Sequence, residues 1–264
     1  VLSLLPQFVR EYTDFSFEGK KVKVPYCIVA QLGDSYDSQK VTRTSRFKHY
    51  AGKGNPEEIK KSTIEAAARD DFNLKNASSR EIHQFMLNNG IGIDCSGFVY
   101  NVLDRYLWES QRQHLGRYIR LFPGIKGKLE QLLFSYKRIR RCSAKTLTSD
   151  LNTIEITRVK DMQPGDMIRF TLPTWAGKHI AILTQVNAHQ IIYAHSGERS
   201  KQKGPHTASI LILNSQKDLS HQEWLEKHED GSEYKSYAFH PEKGDSVRRL
   251  RQLPRSQSFH SMSK

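Results

Sequence analysis

The spacing of apolar positions changes character twice along the chain. Residues 1–50 carry two apolar runs, Phe15–Phe17 and Val22–Leu32, separated by a Gly-Lys-Lys turn. That pattern predicts a hairpin or two short strands. Residues 55–89 change to helical spacing. Asn55-Pro56-Glu57-Glu58 supplies an N-cap side chain, a proline at the first helical position and acids in the first turn. Ile59, Ile64, Ala67 and Ala68 follow at helical intervals. Ser78 stands three residues before Glu81, the capping-box spacing, ahead of a stripe of Ile82, Phe85 and Met86. Asn88-Asn89-Gly90 stops this second helix.

A third helix is predicted from Asp94-Cys95-Ser96-Gly97 onward. Phe98, Val99, Val102, Leu103, Tyr106 and Leu107 keep a 3.6-residue period, which puts Cys95 at or near the N-terminus of a buried helix. Residues 110–150 are basic, with Leu129, Leu132, Leu133 and Tyr136 at helical spacing, and read as a solvated helical insertion with one packed face. A polyanion-binding arm is the sharper alternative for that stretch. From residue 154 the pattern is strand-like. A Met162-Gln163-Pro164-Gly165-Asp166 turn precedes strands at 167–170, 179–183, 190–195 and 209–213. Trp224 and Leu225 are expected on a short helical stretch, and 237–239 and 247–250 as last strands. Residues 251–264 form a polar basic tail of disordered composition. A cysteine-bearing helix followed by an antiparallel meander is an α+β layout, with the helix packed on one face of the sheet.

Composition narrows the function classes. The 264 residues suit one domain, taken as 1–250, with helical insertions near 55–89 and 108–155. Lys and Arg total 41 against 28 Asp and Glu, a formal charge of +13, which favours anionic partners such as an acidic wall polymer. The basic residues are spread along the chain, which disfavours a dedicated nucleic-acid footprint. Three widely spaced cysteines, Cys27, Cys95 and Cys142, make neither a disulfide framework nor a zinc ribbon, and leave room for a reactive thiol. His189 and His206 fall in expected turns, and His221, His228 and His240 lack metal-ligand spacing, so no metal is expected. Phosphate- and dinucleotide-binding glycine motifs are absent, and no cofactor is expected. No apolar run reaches the roughly 18 residues of a membrane helix. The opening VLSLLPQFVREY lacks the basic start and small-residue cleavage site of a signal peptide. The compartment stays open.

Cys95 is the candidate nucleophile. A cysteine at a helix N-terminus sees unpaired N–H groups and the positive end of the dipole, both of which favour thiolate. Flanking glycines are expected to let a substrate backbone approach. A core cysteine would more often have apolar neighbours on both sides than Asp-Cys-Ser-Gly. The nucleophile needs a base, and the base an orienting group. His179 opens the apolar strand HIAIL and is the candidate base; His195 ends the next strand and is the candidate third residue. Tyr193 lies two residues from His195, on the same strand face, and is the alternative. Backbone N–H groups of Cys95 and Ser96 are the candidate oxyanion donors. Asp94 caps the helix or shapes the pocket, and for Ser96 plain capping explains the residue equally well. Trp175 is a candidate cleft residue, with a strand-end core role as likely on sequence grounds.

Three segments together, DCSGFV at 94–99, MQPGDMIRF at 162–170 and HIAIL at 179–183, resemble the NlpC family of papain-like cysteine peptidases of bacterial cell walls. The resemblance covers roughly residues 91–197. It implies a papain-like core, a triad of motif cysteine, strand histidine and third polar residue, and cleavage of peptidoglycan stem peptides next to a γ-linked D-glutamyl residue. Two departures stand out. The interval from Cys95 to His179 is long for the family, which marks 108–155 as an insertion. The tyrosine that family members carry about a dozen residues before the cysteine is missing, and Val24-Pro25-Tyr26 resembles its segment some seventy residues upstream. If Tyr26 fills that role, the helices at 55–89 are a second insertion. The alternatives are thiol hydrolysis or acyl transfer on another substrate, and a non-catalytic basic module for anionic polymers.

Overall fold

The computed structural model describes residues 4–27, 52–124, 139, 142–171, 179–197, 203–227, 231 and 239–253. Leu5, Phe8, Val9 and Tyr12 recur at three- and four-residue intervals and form the buried face of helix α1 (Leu5–Thr13). Sequence reading took that segment only as briefly apolar. Strands β1 (Ser16–Phe17) and β2 (Lys20–Lys21) make a hairpin, whose second strand is the lysine pair expected in the turn and not the apolar run after it. The second apolar run continues instead as extended chain with Val22 and Val24 buried, and Tyr26 makes a single parallel bridge to Ile93.

Helices α2 (Pro56–Arg69) and α3 (Ser79–Asn88) form where their caps predict. Each has a complete capping box: Asn55 with Glu58, and Ser78 with Glu81. Each box satisfies N–H groups that the first turn of a helix leaves without partners. Helix α4 (Cys95–Gln111) follows, and α5 (Ala144–Leu147) is a single turn. The helix expected around Leu129–Tyr136 lies outside the described residues.

Seven strands form one antiparallel sheet: β3 (Thr153–Ile156), β4 (Met167–Phe170), β5 (His179–Val186), β6 (Gln190–Gly197), β7 (Gly204–Leu211), β8 (Glu223–Trp224) and β9 (Ser246–Leu250), in the order β3-β9-β4-β5-β6-β7-β8. The fold is α+β, as expected, and β4 to β7 run as the expected meander, with β8 added beside β7. Three details differ. Thr153–Glu155 pair with β9 and belong to the sheet, so they are no part of an insertion. Strand β7 starts at Gly204 and not at Ser209, because Gly204 and Pro205 pair with Gly197 and Ser196. Trp224 lies on a strand paired to Ile210 and not on a helix; only Leu219–His221, before it, make a helical turn. Tyr237 and Ala238 lie outside the described residues.

Both faces of the sheet are buried. On one, Met167, Ile180, Ile182, Ala194 and Leu250 join the helices in a core with Phe98, Val102 and Leu103 of α4. On the other, Ile168, Phe170, Ala181, Leu183, Tyr193, Ile210, Trp224 and Val247 form a second cluster. Strands buried on both faces read as continuous apolar runs, as HIAIL does. The Pro-Gly-Asp turn is held from within: Asp166 accepts from Arg249 Nε and from the Gln163 N–H at 2.7 and 2.9 Å, and both ion-pair side chains are buried. Among the described residues, no helix is long and apolar enough to cross a membrane.

Removing one member of a buried ion pair strands the other charge, at about 3–5 kcal/mol. Arg249→Ala should lose stability of that order in urea unfolding. A loss under about 1 kcal/mol would show that Asp166 does not need its partner.

Candidate active site

Helix α4 presents Cys95 at its first position because Asp94 caps it. Asp94 Oδ1 accepts from the Gly97 N–H at 2.6 Å and from Ser96 Oγ at 3.0 Å. The same carboxylate pairs with Lys53 Nζ at 2.7 Å, and Lys53 also bonds Ser96 Oγ and the Cys142 carbonyl. All three side chains are buried. Asp94 and Ser96 therefore act as capping and anchoring groups, their polar atoms engaged with Lys53 and with each other. Sequence reading missed Lys53, whose ammonium ties the 52–53 segment to the helix start. Nothing in its local sequence marks it apart from the other lysines.

The glycines of the motif serve the chain itself and not a substrate. A Cβ at Gly97 would stand 2.2 Å from the Gly52 carbonyl oxygen, and one at Gly92 would stand 2.5 Å from that of Pro25. The 25–27 and 52–53 segments cross the chain on either side of Cys95 at these two points. Ile93 is bridged by Tyr26 on one side and Lys53 on the other. Tyr26 is thus brought within two residues of Cys95, despite some seventy residues of intervening chain.

Cys95 reaches the sheet at the start of β5. The backbone N–H groups of Ile180 and Ser96 both point at its sulphur. His179 is the preceding residue on that strand. Its ring stacks on Phe170 at 5.5 Å between centroids, on the sheet face opposite the one Ile180 gives to α4. Among the described residues no hydrogen bond joins Cys95 to His179. His179 Nε2 is instead 2.7 Å from His195 Nδ1, with both rings buried. The two candidate histidines are therefore brought together, and His179 Nδ1 is the ring nitrogen left over.

The contacts continue past His195. Its Nε2 lies 3.1 Å from both oxygens of Glu226, a buried carboxylate that also accepts from Tyr193 Oη and stands 3.0 Å from His206 Nε2. His206 Nδ1 lies 2.7 Å from the Gly204 carbonyl oxygen. Tyr193 and His195 do share a face, and both end on Glu226. The reading of His206 as a turn residue is corrected here: it is a buried strand residue opposite His195 in the register. Pro205, which cannot donate to a ladder, disguised that strand. Glu226 was missed because its segment was read as helical. Strand alternation from buried Trp224 would have turned Glu226 inward. Trp175 lies outside the described residues.

Burial dominates the electrostatics. It raises the Cys95 thiol to about 12, with Asp94 adding to the rise and Lys53 and the two N–H groups opposing it. Burial, and then His195, lower His179 well below the usual histidine value. The resting pair is neutral thiol and neutral imidazole. Burial opposes the thiolate expected from helix position and outweighs Lys53 and the two N–H donors that favour it. Burial raises Glu226, but the charges and hydrogen bonds of His195 and His206 outweigh it and hold the carboxyl far below the carboxylate range. Burial and His195 lower His206, against the pull of Glu226. His195, His206 and Glu226 offer ligand atoms within 4.8 Å of one another, a donor set that suits zinc. In this structure those atoms bond each other.

A thiol with a pKa near 12 gains thiolate about tenfold for each pH unit below it. Iodoacetamide alkylation of Cys95, followed by peptide mapping from pH 7 to 9, should climb steeply. A rate already flat at pH 7 would mean a preformed thiolate. Neither a scan against protein-family models nor a search of the curated proteins finds a match for this chain.

Proposed function

We propose that the chain is a cysteine hydrolase of NlpC type, with a papain-like core, that cleaves amide bonds in peptidoglycan stem peptides. The observation that carries the reading is the buried His179–His195 hydrogen bond, at 2.7 Å, beside a cysteine whose sulphur meets the backbone of Ile180. The sequence motifs and their order along the chain supply the substrate class. The net charge of +13 suits an acidic wall polymer.

In the reaction, Cys95 Sγ attacks the amide carbonyl carbon while its proton passes to His179 Nδ1, a transfer that requires the His179 ring to come within hydrogen-bond reach of the sulphur, since no hydrogen bond joins them in the resting site. His195 accepts the His179 Nε2–H and holds the ring in the tautomer that leaves Nδ1 as the base. The Cys95 backbone N–H, at the helix start, faces the developing oxyanion. The C–N bond breaks, the amine departs with the proton from His179, and a thioester remains. Water, deprotonated by the same nitrogen, hydrolyses the thioester, releases the acid and restores the thiol. A neutral resting pair makes this general-base attack, with proton transfer during bond formation, in place of attack by a standing thiolate.

A second reading, a non-catalytic module for anionic polymers, is favoured by the absence of a hydrogen bond between Cys95 and His179 among the described residues. One experiment separates the two. Purified peptidoglycan is incubated with the wild type and with Cys95→Ala, and released fragments are analysed by mass. Fragments from the wild type alone support the enzyme. Co-sedimentation with the polymer and no fragments from either protein supports the module.

Removing a general base costs roughly 10²–10⁴ in rate. His179→Ala should lose turnover on that scale, with circular dichroism confirming the fold, and His195→Ala should lose less, since an orienting group transfers no proton. Near-normal turnover in His179→Ala would place the base elsewhere. Because His179 is held below the usual histidine value, it stays unprotonated as pH falls through 6.5. The acid limb of kcat/KM should therefore lie below pH 6.5. A limb above that value would contradict a buried neutral base.

A further inference from the structure

With His195 neutral, the protons along the chain from His179 to Glu226 and His206 can be placed by counting donors and acceptors. Glu226 is buried and acceptor-only when ionised, and three groups converge on it: Tyr193 Oη, His195 Nε2 and His206 Nε2. His206 Nδ1 faces a carbonyl oxygen, which can only accept, so Nδ1 carries a hydrogen. His206 Nε2 then faces a carboxylate oxygen, and one proton lies on that line, shared by the pair. On either atom of that line it leaves the other Glu226 oxygen free to accept from His195. His195 is thereby the Nε2–H tautomer, with its Nδ1 lone pair turned to His179. His179 must donate from Nε2, and only its Nδ1 is left as a base.

We infer that Glu226 is a positioning residue for the Cys95–His179 pair, acting through His195, with His206 and Tyr193 holding its carboxylate in place. This rests on the reading of Cys95 and His179 as nucleophile and base. It extends that reading by three residues on three further positions of the sheet: Tyr193 on β6, His206 on β7, and Glu226 just past β8. The assignment needs a carboxylate in particular. A neutral side chain that offered His195 a donor would reverse the relay, put a hydrogen on His179 Nδ1 and remove the base.

The test has two independent readouts on the full chain. The first is the tautomer of each histidine, read from 15N chemical shifts in protein labelled at histidine. The wild type should show Nε2–H for His179 and His195, and hydrogens on both nitrogens or a shared proton for His206. In Glu226→Ala the His179 and His195 signals should move toward mixed tautomers. The second readout is turnover. Glu226→Ala should lose about 10- to 100-fold in kcat, part of what a general base contributes, with KM little changed. Glu226→Gln keeps the shape of the side chain and serves where the alanine variant does not fold. Its amide can turn either its oxygen or its NH2 to His195: the oxygen keeps the wild-type tautomers, and the NH2 moves both rings to Nδ1–H and lowers kcat at least as far as alanine does.

Unchanged tautomers in both variants would overturn the inference even if the wild type is an active hydrolase. Shifted tautomers in a wild type that releases no fragments would sink the proposed reaction and leave the proton placement standing. One zinc per chain, found by elemental analysis of wild type and lost in Glu226→Gln, would also overturn it. His195 Nε2 would then be a metal ligand and not a donor.

Discussion

A buried carboxylate has to be saturated with donors, and among the described residues that constraint organises the segments around Asp94, Asp166 and Glu226. Asp94 gathers a helix N–H, a serine hydroxyl and the Lys53 ammonium. Asp166 gathers Arg249 and a turn N–H. Glu226 gathers a tyrosine and two histidines. Each cluster joins segments far apart in the chain, and leaving any one unsatisfied would cost several kcal/mol. The first fixes where the cysteine helix begins. The second fixes the turn into β4, beside the histidine strand. The third fixes the histidines. The proposed chemistry depends on all three, although only the third touches the rings.

Much of the fold was legible because its signals are local. The Asn55 and Ser78 capping boxes, the period of α4 and the Pro-Gly-Asp turn are each written within a few residues. What failed was what depends on partners distant in sequence. Strand β7 begins earlier than its apolar residues suggest, because Gly204 and Pro205 are strand residues only by pairing with β6. Trp224 looked helical from its neighbours and is strand because Ile210 is opposite it. For α1, the apolar spacing was present in the sequence and was read only as a briefly apolar start without the marks of a leader.

The candidate site divides along the same line. Cys95, His179, His195 and Tyr193 were visible from motif and strand position, and the structure brings the three sheet residues into one network. Lys53, His206 and Glu226 were not visible, because an ordinary lysine, histidine or glutamate becomes special only when folding removes it from water. The upward push of burial on the Cys95 thiol was not visible for a related reason. The helix end is a local feature that sequence announces, whereas burial is a property of the whole fold, and here burial is the larger effect.

The place of β9 has a consequence for how the molecule comes into being on a ribosome. Residues 246–250 lie between β3 and β4, bonded to both. Until that segment has been synthesised, the meander that carries His179 and His195 has an open edge at β4, Asp166 has no arginine and β3 has nothing to pair with. Contacts of such wide sequence separation form late and slowly. The nascent chain would thus hold its histidines in an unfinished sheet until residues 246–250 have left the exit tunnel, so assembly of the site waits on a strand about fifty residues beyond His195.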